Sequence, residues 1–152
     1  MPTNNRILIK NNYFFDIKHL GNHTVNHKCL PQISDDEIKD EIMKLHTAVF
    51  EKFGYDMTYF RPPKGEFSAK VLSIANSFGY RAVMWSFAYD DWDKERQGRE
   101  EYGKKKIIEN IHNGCVILLH ATSEDNSKIL DDVIKEIKAM GYEFKNLDEF
   151  EM

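Results

Sequence analysis

The chain has 152 residues, 41% of them hydrophobic and 12% aromatic, enough apolar material for one ordinary core and hardly two, so a single domain is expected. Its 21 basic and 25 acidic side chains give a formal charge of −4, which argues against an acidic disordered tail and against a nonspecific nucleic-acid arm. No apolar run approaches the roughly 18 residues of a membrane span, Met1-Pro2-Thr3-Asn4-Asn5 lacks the basic-then-apolar order of a secretory signal, and Cys29 and Cys115 stand in no metal-type or disulfide-framework spacing.

In chain order, the first clear element starts at Ser34-Asp35-Asp36-Glu37, where a hydroxyl and a carboxylate three residues apart satisfy the open N–H groups of a helix start. Ile38, Ile42, Leu45 and Val49 then share one face, and Gly54 supplies a stop. A second helix is predicted from about Ser68 to Phe78, with Val71, Ala75 and Phe78 inward and Gly79 as cap; a third runs over roughly Lys104 to His112. The fourth carries Ile129, Val133, Ile134, Ile137 and Met140 on its apolar face and closes at Gly141. Between the helices, Met57 to Phe60, Ala82 to Phe87, Cys115 to Leu119 and Tyr142 to Phe144 read as strands. Cys-Val-Ile-Leu-Leu has no polar alternation, as expected for a parallel strand covered on both faces. Alternating strands and helices predict an α/β layered or barrel fold, with Ala88 to Tyr102 as a long polar surface loop.

Three of these strands run into ionisable groups: Arg61 after Phe60, Asp90 and Asp91 after the strand ending near Phe87, and His120 after Leu119. Ligands of parallel α/β folds bind beyond the carboxyl ends of the strands, so these groups are expected to converge on one face. Any one of them taken alone is equally well a polar residue opening a loop. His23 and His27, four apart, suit a shared divalent metal, although such a pair without context is more often structural. His19, His46 and His112 have no comparable partner and read as structural.

These pieces, in this order, resemble the polysaccharide deacetylase family, also known as the NodB homology domain or carbohydrate esterase family 4. Gly21-Asn22-His23-Thr24-Val25-Asn26-His27 is similar to its histidine motif and Arg61-Pro62-Pro63-Lys64-Gly65 to its arginine-proline motif. Asp91-Trp92 and Leu118-Leu119-His120 are similar to its two later motifs. Met84-Trp85-Ser86, Asp125-Asn126 and Gly141-Tyr142-Glu143-Phe144-Lys145 are most similar to the branch that deacetylates N-acetylmuramic acid in peptidoglycan on the way to muramic δ-lactam, and the resemblance runs from about Lys18 to the C-terminus. It implies a deformed (β/α) barrel of mostly parallel strands, in which a metal-bound water attacks an acetamide carbonyl and releases acetate.

By the resemblance His23 and His27 bind the metal, Zn²⁺ first among candidates, with Thr24 supporting their loop. His120 is the general acid to the leaving amine. Asp91 holds and polarises His120 or Arg61, and Arg61 orients the catalytic carboxylate through its planar fork. The backbone N–H of Lys64 donates to the oxyanion, while Trp92 and Leu118 wall a small pocket for the acetyl methyl. The Lys64 ammonium stands where the family commonly has an aromatic residue. It either meets the lactyl carboxylate of muramic acid or is a solvated loop lysine.

The family's first motif, Thr/Ser-Phe-Asp-Asp/Asn-Gly, with its general base and metal-binding aspartate, is absent. Asp16 precedes His23 by only seven residues and would have to approach the metal from another direction, so it is not expected to substitute. Two imidazoles fall short of the usual three protein ligands of catalytic zinc. The chain is therefore expected to be an N-terminally incomplete barrel with an open sheet edge, in which Arg6-Ile7-Leu8-Ile9 replaces one strand. The alternatives are a catalytically silent carbohydrate-binding remnant and a fragment completed by another chain. The substrate implies the cell envelope or exterior, with no export signal in this sequence and the cytoplasm an open alternative. An open edge predicts a homodimer or domain exchange: light scattering should give a mass that rises with concentration, and a constant monomer mass would contradict it.

Overall fold

The computed structural model describes residues 6–9, 13–16 and 19–149; the expectations for Met1–Asn5 and for the side chain of Asp16 fall outside it. The chain divides into two compact units, Met1–Met84 and Trp85–Met152.

In the first unit, β1 (Arg6–Ile9) and β2 (Tyr13–Asp16) form an antiparallel pair in the register Arg6↔Asp16 to Ile9↔Tyr13. Arg6–Ile9 is a strand as predicted, but it pairs with the adjacent segment in a two-stranded sheet of its own and does not join the parallel ladder. Helix α1 (Asp35–Phe53) opens on the predicted capping box: the Glu37 N–H donates to Ser34 Oγ at 3.4 Å and the Ser34 N–H to Glu37 Oε2 at 3.1 Å. It ends at Gly54 in the left-handed conformation (φ 63°). Its inward face brings Ile38 and Ile42 onto Leu30, Met57, Phe60 and Tyr80, with Val71 and Ala75 of α2 (Ala69–Ser77) closing the cluster. Phe60 is wholly buried there, which contributes about 2–3 kcal/mol.

That residue also centres a parallel ladder. Strand β3 (Tyr59–Phe60) pairs with β4 (Arg81–Ala82), and Asn22 bridges Phe60 in the parallel sense. The Asn22 N–H donates to the Tyr59 carbonyl at 2.7 Å and the Arg61 N–H to the Asn22 carbonyl at 2.9 Å, so the segments carrying His23 and Arg61 leave the sheet side by side. A Cβ at position 21 would lie 3.3 Å from the Tyr59 carbonyl oxygen, so this close approach favours glycine.

In the second unit, α3 (Glu100–Glu109) packs on α4 (Glu124–Ala139) around Ile107, Ile129, Val133 and Ile137. The strand-like segments pair at a single parallel bridge, Phe87↔Ile117. Composition suggested one core, whereas the buried apolar residues gather in two clusters, one per unit.

Some local expectations need correction. Phe78 and Met140 are exposed (40% and 48%) because each is the C-cap residue, where the helical period that predicted an inward side chain no longer applies. Helix α3 begins at Glu100, four residues earlier than predicted, with Glu100 and Glu101 favourable at its positive end. Tyr142–Phe144 pairs in no ladder among the described residues, and Phe144 is 51% exposed. No helix among the described residues is long and apolar enough to cross a membrane. The Ser34→Ala variant should lose about 1 kcal/mol of stability in chemical denaturation; an unchanged midpoint would show that the capping box carries no net stabilisation.

Candidate active site

The loop that follows the Asn22 bridge is built around buried amides. Asn22 is fully buried; its Nδ2 donates to the Ile42 carbonyl (2.8 Å) and to the Tyr80 hydroxyl (3.0 Å), while its Oδ1 accepts the Thr24 N–H (2.9 Å). Glu41, an almost buried carboxylate on α1, accepts the Asn26 N–H and side-chain amide at 2.9 and 2.8 Å. These bonds hold Thr24 (φ 65°) and His27 (φ 56°) in left-handed backbone, a costly conformation for residues with a Cβ. Thr24 Oγ1 accepts the His27 N–H at 3.1 Å, the loop-supporting contact expected of it.

The two imidazoles meet edge to face, ring centroids 4.9 Å apart. His23 Nδ1 lies 2.6 Å from the Arg61 carbonyl. A carbonyl only accepts, so Nδ1 carries the proton and Nε2 the lone pair, the tautomer a metal ligand needs. The described residues contain no group of three or more His, Cys, Asp or Glu able to hold one ion. His23 and His27 thus stand together as two imidazoles, one short of the three protein ligands usual for catalytic zinc among the described residues.

Arg61 is half-buried, and burial pulls its guanidinium below the usual value while leaving it a cation at neutral pH. Lys64 follows in a tight turn, exposed and left-handed (φ 57°), with the N–H groups of Gly65 and Glu66 turned back onto the Pro62 and Pro63 carbonyls. Every left-handed non-glycine residue among those described, Thr24, His27 and Lys64, lies in the two motifs singled out from the sequence.

In the second unit Asp91 is buried and His120 is part-exposed beside it. The Asp91 Oδ1 lies 2.7 Å from His120 Nδ1, and Oδ2 accepts the His120 backbone N–H at 2.6 Å. A carboxylate accepts, so Nδ1–H points at Asp91 and Nε2 is the nitrogen turned away from it. Trp92, next in chain, is 61% exposed, and Leu118 is half-buried two residues before His120. A cleft of about 450 Å³ in this unit, lined by Cys115, Tyr142 and Phe144 among others, contains none of the predicted site residues.

His46, read as structural, bonds the Tyr80 hydroxyl through Nδ1 at 2.7 Å; His19 packs edge-on against Tyr59, and His112 bonds the Asn113 carbonyl. The residue-level reading missed Glu41 and the roles of Asn22 and Asn126. A carboxylate inside the apolar stripe Ile38-Ile42 was the available signal for Glu41. Asn126 donates to Asp91 Oδ2 at 2.6 Å.

A family model described as polysaccharide deacetylase matches residues 16–83. An uncharacterised 30.6 kDa protein of Geobacillus stearothermophilus is 42% identical over 134 residues, 88% of this chain and 51% of that protein. The peptidoglycan-N-acetylmuramic acid deacetylase PdaA of Bacillus subtilis is 38% identical over 131 residues, 86% of this chain and 50% of its own length. Its solved structure superposes with a TM-score of 0.80 over 85% of this chain and 56% of that one. A pseudoenzyme of carbohydrate esterase family 4 from Bacillus anthracis superposes with a TM-score of 0.78 at 29% identity, covering 85% of this chain and 44% of that one. The chain spans about half the length of these curated relatives. Its parallel strands and helices are accordingly part of the deformed (β/α) barrel of the NodB homology type, and the chain belongs to the polysaccharide deacetylase family, carbohydrate esterase family 4.

Proposed function

We propose that this chain serves the N-deacetylation of peptidoglycan at the cell envelope, with N-acetylmuramic acid as the favoured sugar, and that acetate and a free amine are the products. The observation that carries the reading is the Asp91–His120 pair, a buried carboxylate that holds Nδ1 of a part-exposed imidazole. Amide hydrolysis stalls unless the departing nitrogen is protonated, because an amide anion is a very poor leaving group. With Nδ1–H held by Asp91, a proton on the outward Nε2 is the one delivered to the departing nitrogen as the carbon–nitrogen bond breaks. Similarity to PdaA supports the muramic substrate.

In this reading Arg61 orients a catalytic carboxylate that, like the third metal ligand, is supplied from outside the described residues, the Lys64 N–H donates to the oxyanion, and Trp92 and Leu118 line the acetyl methyl pocket. The Lys64 ammonium pairs with the lactyl carboxylate that distinguishes muramic acid from glucosamine. His23 and His27 supply two of the ligands that a divalent ion, Zn²⁺ in this proposal, requires; the third comes from outside the described residues. A homodimer or domain exchange belongs to the same proposal as a route to that completion.

The second reading is a catalytically silent glycan-binding domain. It is favoured by the incomplete ligand set and by the likeness to the Bacillus anthracis pseudoenzyme. Acetate release from an N-acetylated muramyl glycan with added Zn²⁺ separates the two. Deacetylation predicts release that falls by at least about 100-fold in His120→Ala, whereas glycan binding without acetate release would establish the silent domain. In an active preparation Lys64→Ala should lower the preference for muramic over glucosamine substrates several-fold; an unchanged ratio would remove Lys64 from substrate selection.

A further inference from the structure

The Asp91–His120 pair has a third member. Asn126 sits in the first turn of α4, a helix capped by Ser123, whose Oγ accepts the Asn126 N–H at 3.2 Å. Asparagine is a poor helix former and this one is only 6% exposed, so its amide needs partners inside the protein. Both ends have them. Nδ2 donates to Asp91 Oδ2 at 2.6 Å, with a longer contact to the His120 carbonyl at 3.4 Å, and Oδ1 accepts the Tyr89 hydroxyl. A flipped amide would set its oxygen against the Asp91 carboxylate, so the orientation is determined by the network.

We propose that Asn126 is a positioning residue for His120, acting through Asp91, in the proton transfer of the reaction proposed above, on whose reading its catalytic meaning rests. Two donors, the Asn126 amide and the His120 backbone N–H, converge on Oδ2 and stop the carboxylate from rotating. Oδ1 is then the one oxygen presented to His120 Nδ1. Without the amide, Oδ2 keeps a single donor and the carboxylate gains freedom to swing, taking the imidazole with it.

The surroundings of Asn126 support a precise location. Gln97 ties the loop to the helix: its Nε2 donates to the Asp91 and Asp93 carbonyls at 3.3 and 2.8 Å, and its Oε1 accepts the Glu124 N–H at 2.9 Å and the Ser123 hydroxyl at 3.2 Å. Asp125 accepts the N–H groups of Gly98 and Arg99 at 2.7 and 3.0 Å. The far end of the amide is equally constrained. Burial, reinforced by the nearby charges of Asp91 and Asp125, pushes the Tyr89 hydroxyl up to about 12, against the opposing effect of Arg99, so it remains a proton donor across the neutral range. Gly103 of α3 leaves room for that hydroxyl: a Cβ there would stand 2.6 Å from the Tyr89 oxygen.

The test follows the Nδ1 proton of His120 in ¹H–¹⁵N spectra of the full chain, a readout that does not depend on turnover. In the parent chain this proton should be resolved and slow to exchange with water. In Asn126→Ala its exchange should speed by at least about tenfold while the dispersed amide spectrum persists. Tyr89→Phe, which keeps the ring packed against Phe87 and Tyr102, should shift it in the same direction by less. It decides the matter if Asn126→Ala does not fold. An unchanged exchange rate in a folded Asn126→Ala, or in Tyr89→Phe where that variant decides, would overturn the positioning role. A parent chain that releases no acetate would count against the deacetylase reading and leave this comparison intact.

Discussion

A carboxylate removed from water must find its hydrogen bonds within the protein, and the way Asp91 meets that requirement organises the second unit. Its oxygens accept the ring and backbone N–H groups of His120 and the amide of Asn126. To bring those donors together, the segment after Phe87 must enter the interior, the chain after Leu119 must turn back over it, and α4 must begin where its first turn faces Asp91. Gln97, Asp125 and the Ser123 cap enforce that arrangement. The fold thus uses a buried charge, costly by itself, to set one imidazole in one tautomer.

The histidine loop of the first unit meets a related requirement with one buried amide and one buried carboxylate, Asn22 and Glu41. Asn22 replaces a strand residue at the edge of the parallel ladder and spends its amide on Ile42, Tyr80 and Thr24. Glu41 reaches across from α1 to hold Asn26. The strain of left-handed Thr24 and His27 is borne by these contacts, and the return is a pair of rings side by side. The Arg61 carbonyl then chooses the tautomer of His23. In both units a backbone or side-chain acceptor on Nδ1 turns Nε2 away from it.

The helices were legible because their information is local. Ser34-Glu37, Gly54 and the Ile129-Val133-Ile137 stripe act within a turn or two of themselves; the departures are the C-cap residues Phe78 and Met140, where the period stops, and the bounds of α3. Strand extents were poorly legible because apolar runs mark burial while ladder length depends on partners elsewhere in the chain; Cys115–Leu119 pairs at one residue. For the site, His23 and His27 were visible by spacing, and Arg61, Asp91 and His120 by their place after apolar runs. The pairing of Asp91 with His120, the left-handed loop residues and the part played by Asn126 depend on contacts distant in sequence. Periodicity carries no trace of them.

The central claim is that Asp91 and His120 act as one proton-transferring unit. A double-mutant cycle on acetate release measures it most directly, comparing Asp91→Asn, His120→Ala and the double variant in the same zinc-supplemented assay. A single unit predicts that the double variant is no slower than His120→Ala alone. Losses that multiply, each substitution costing its full factor in the presence of the other, would contradict it.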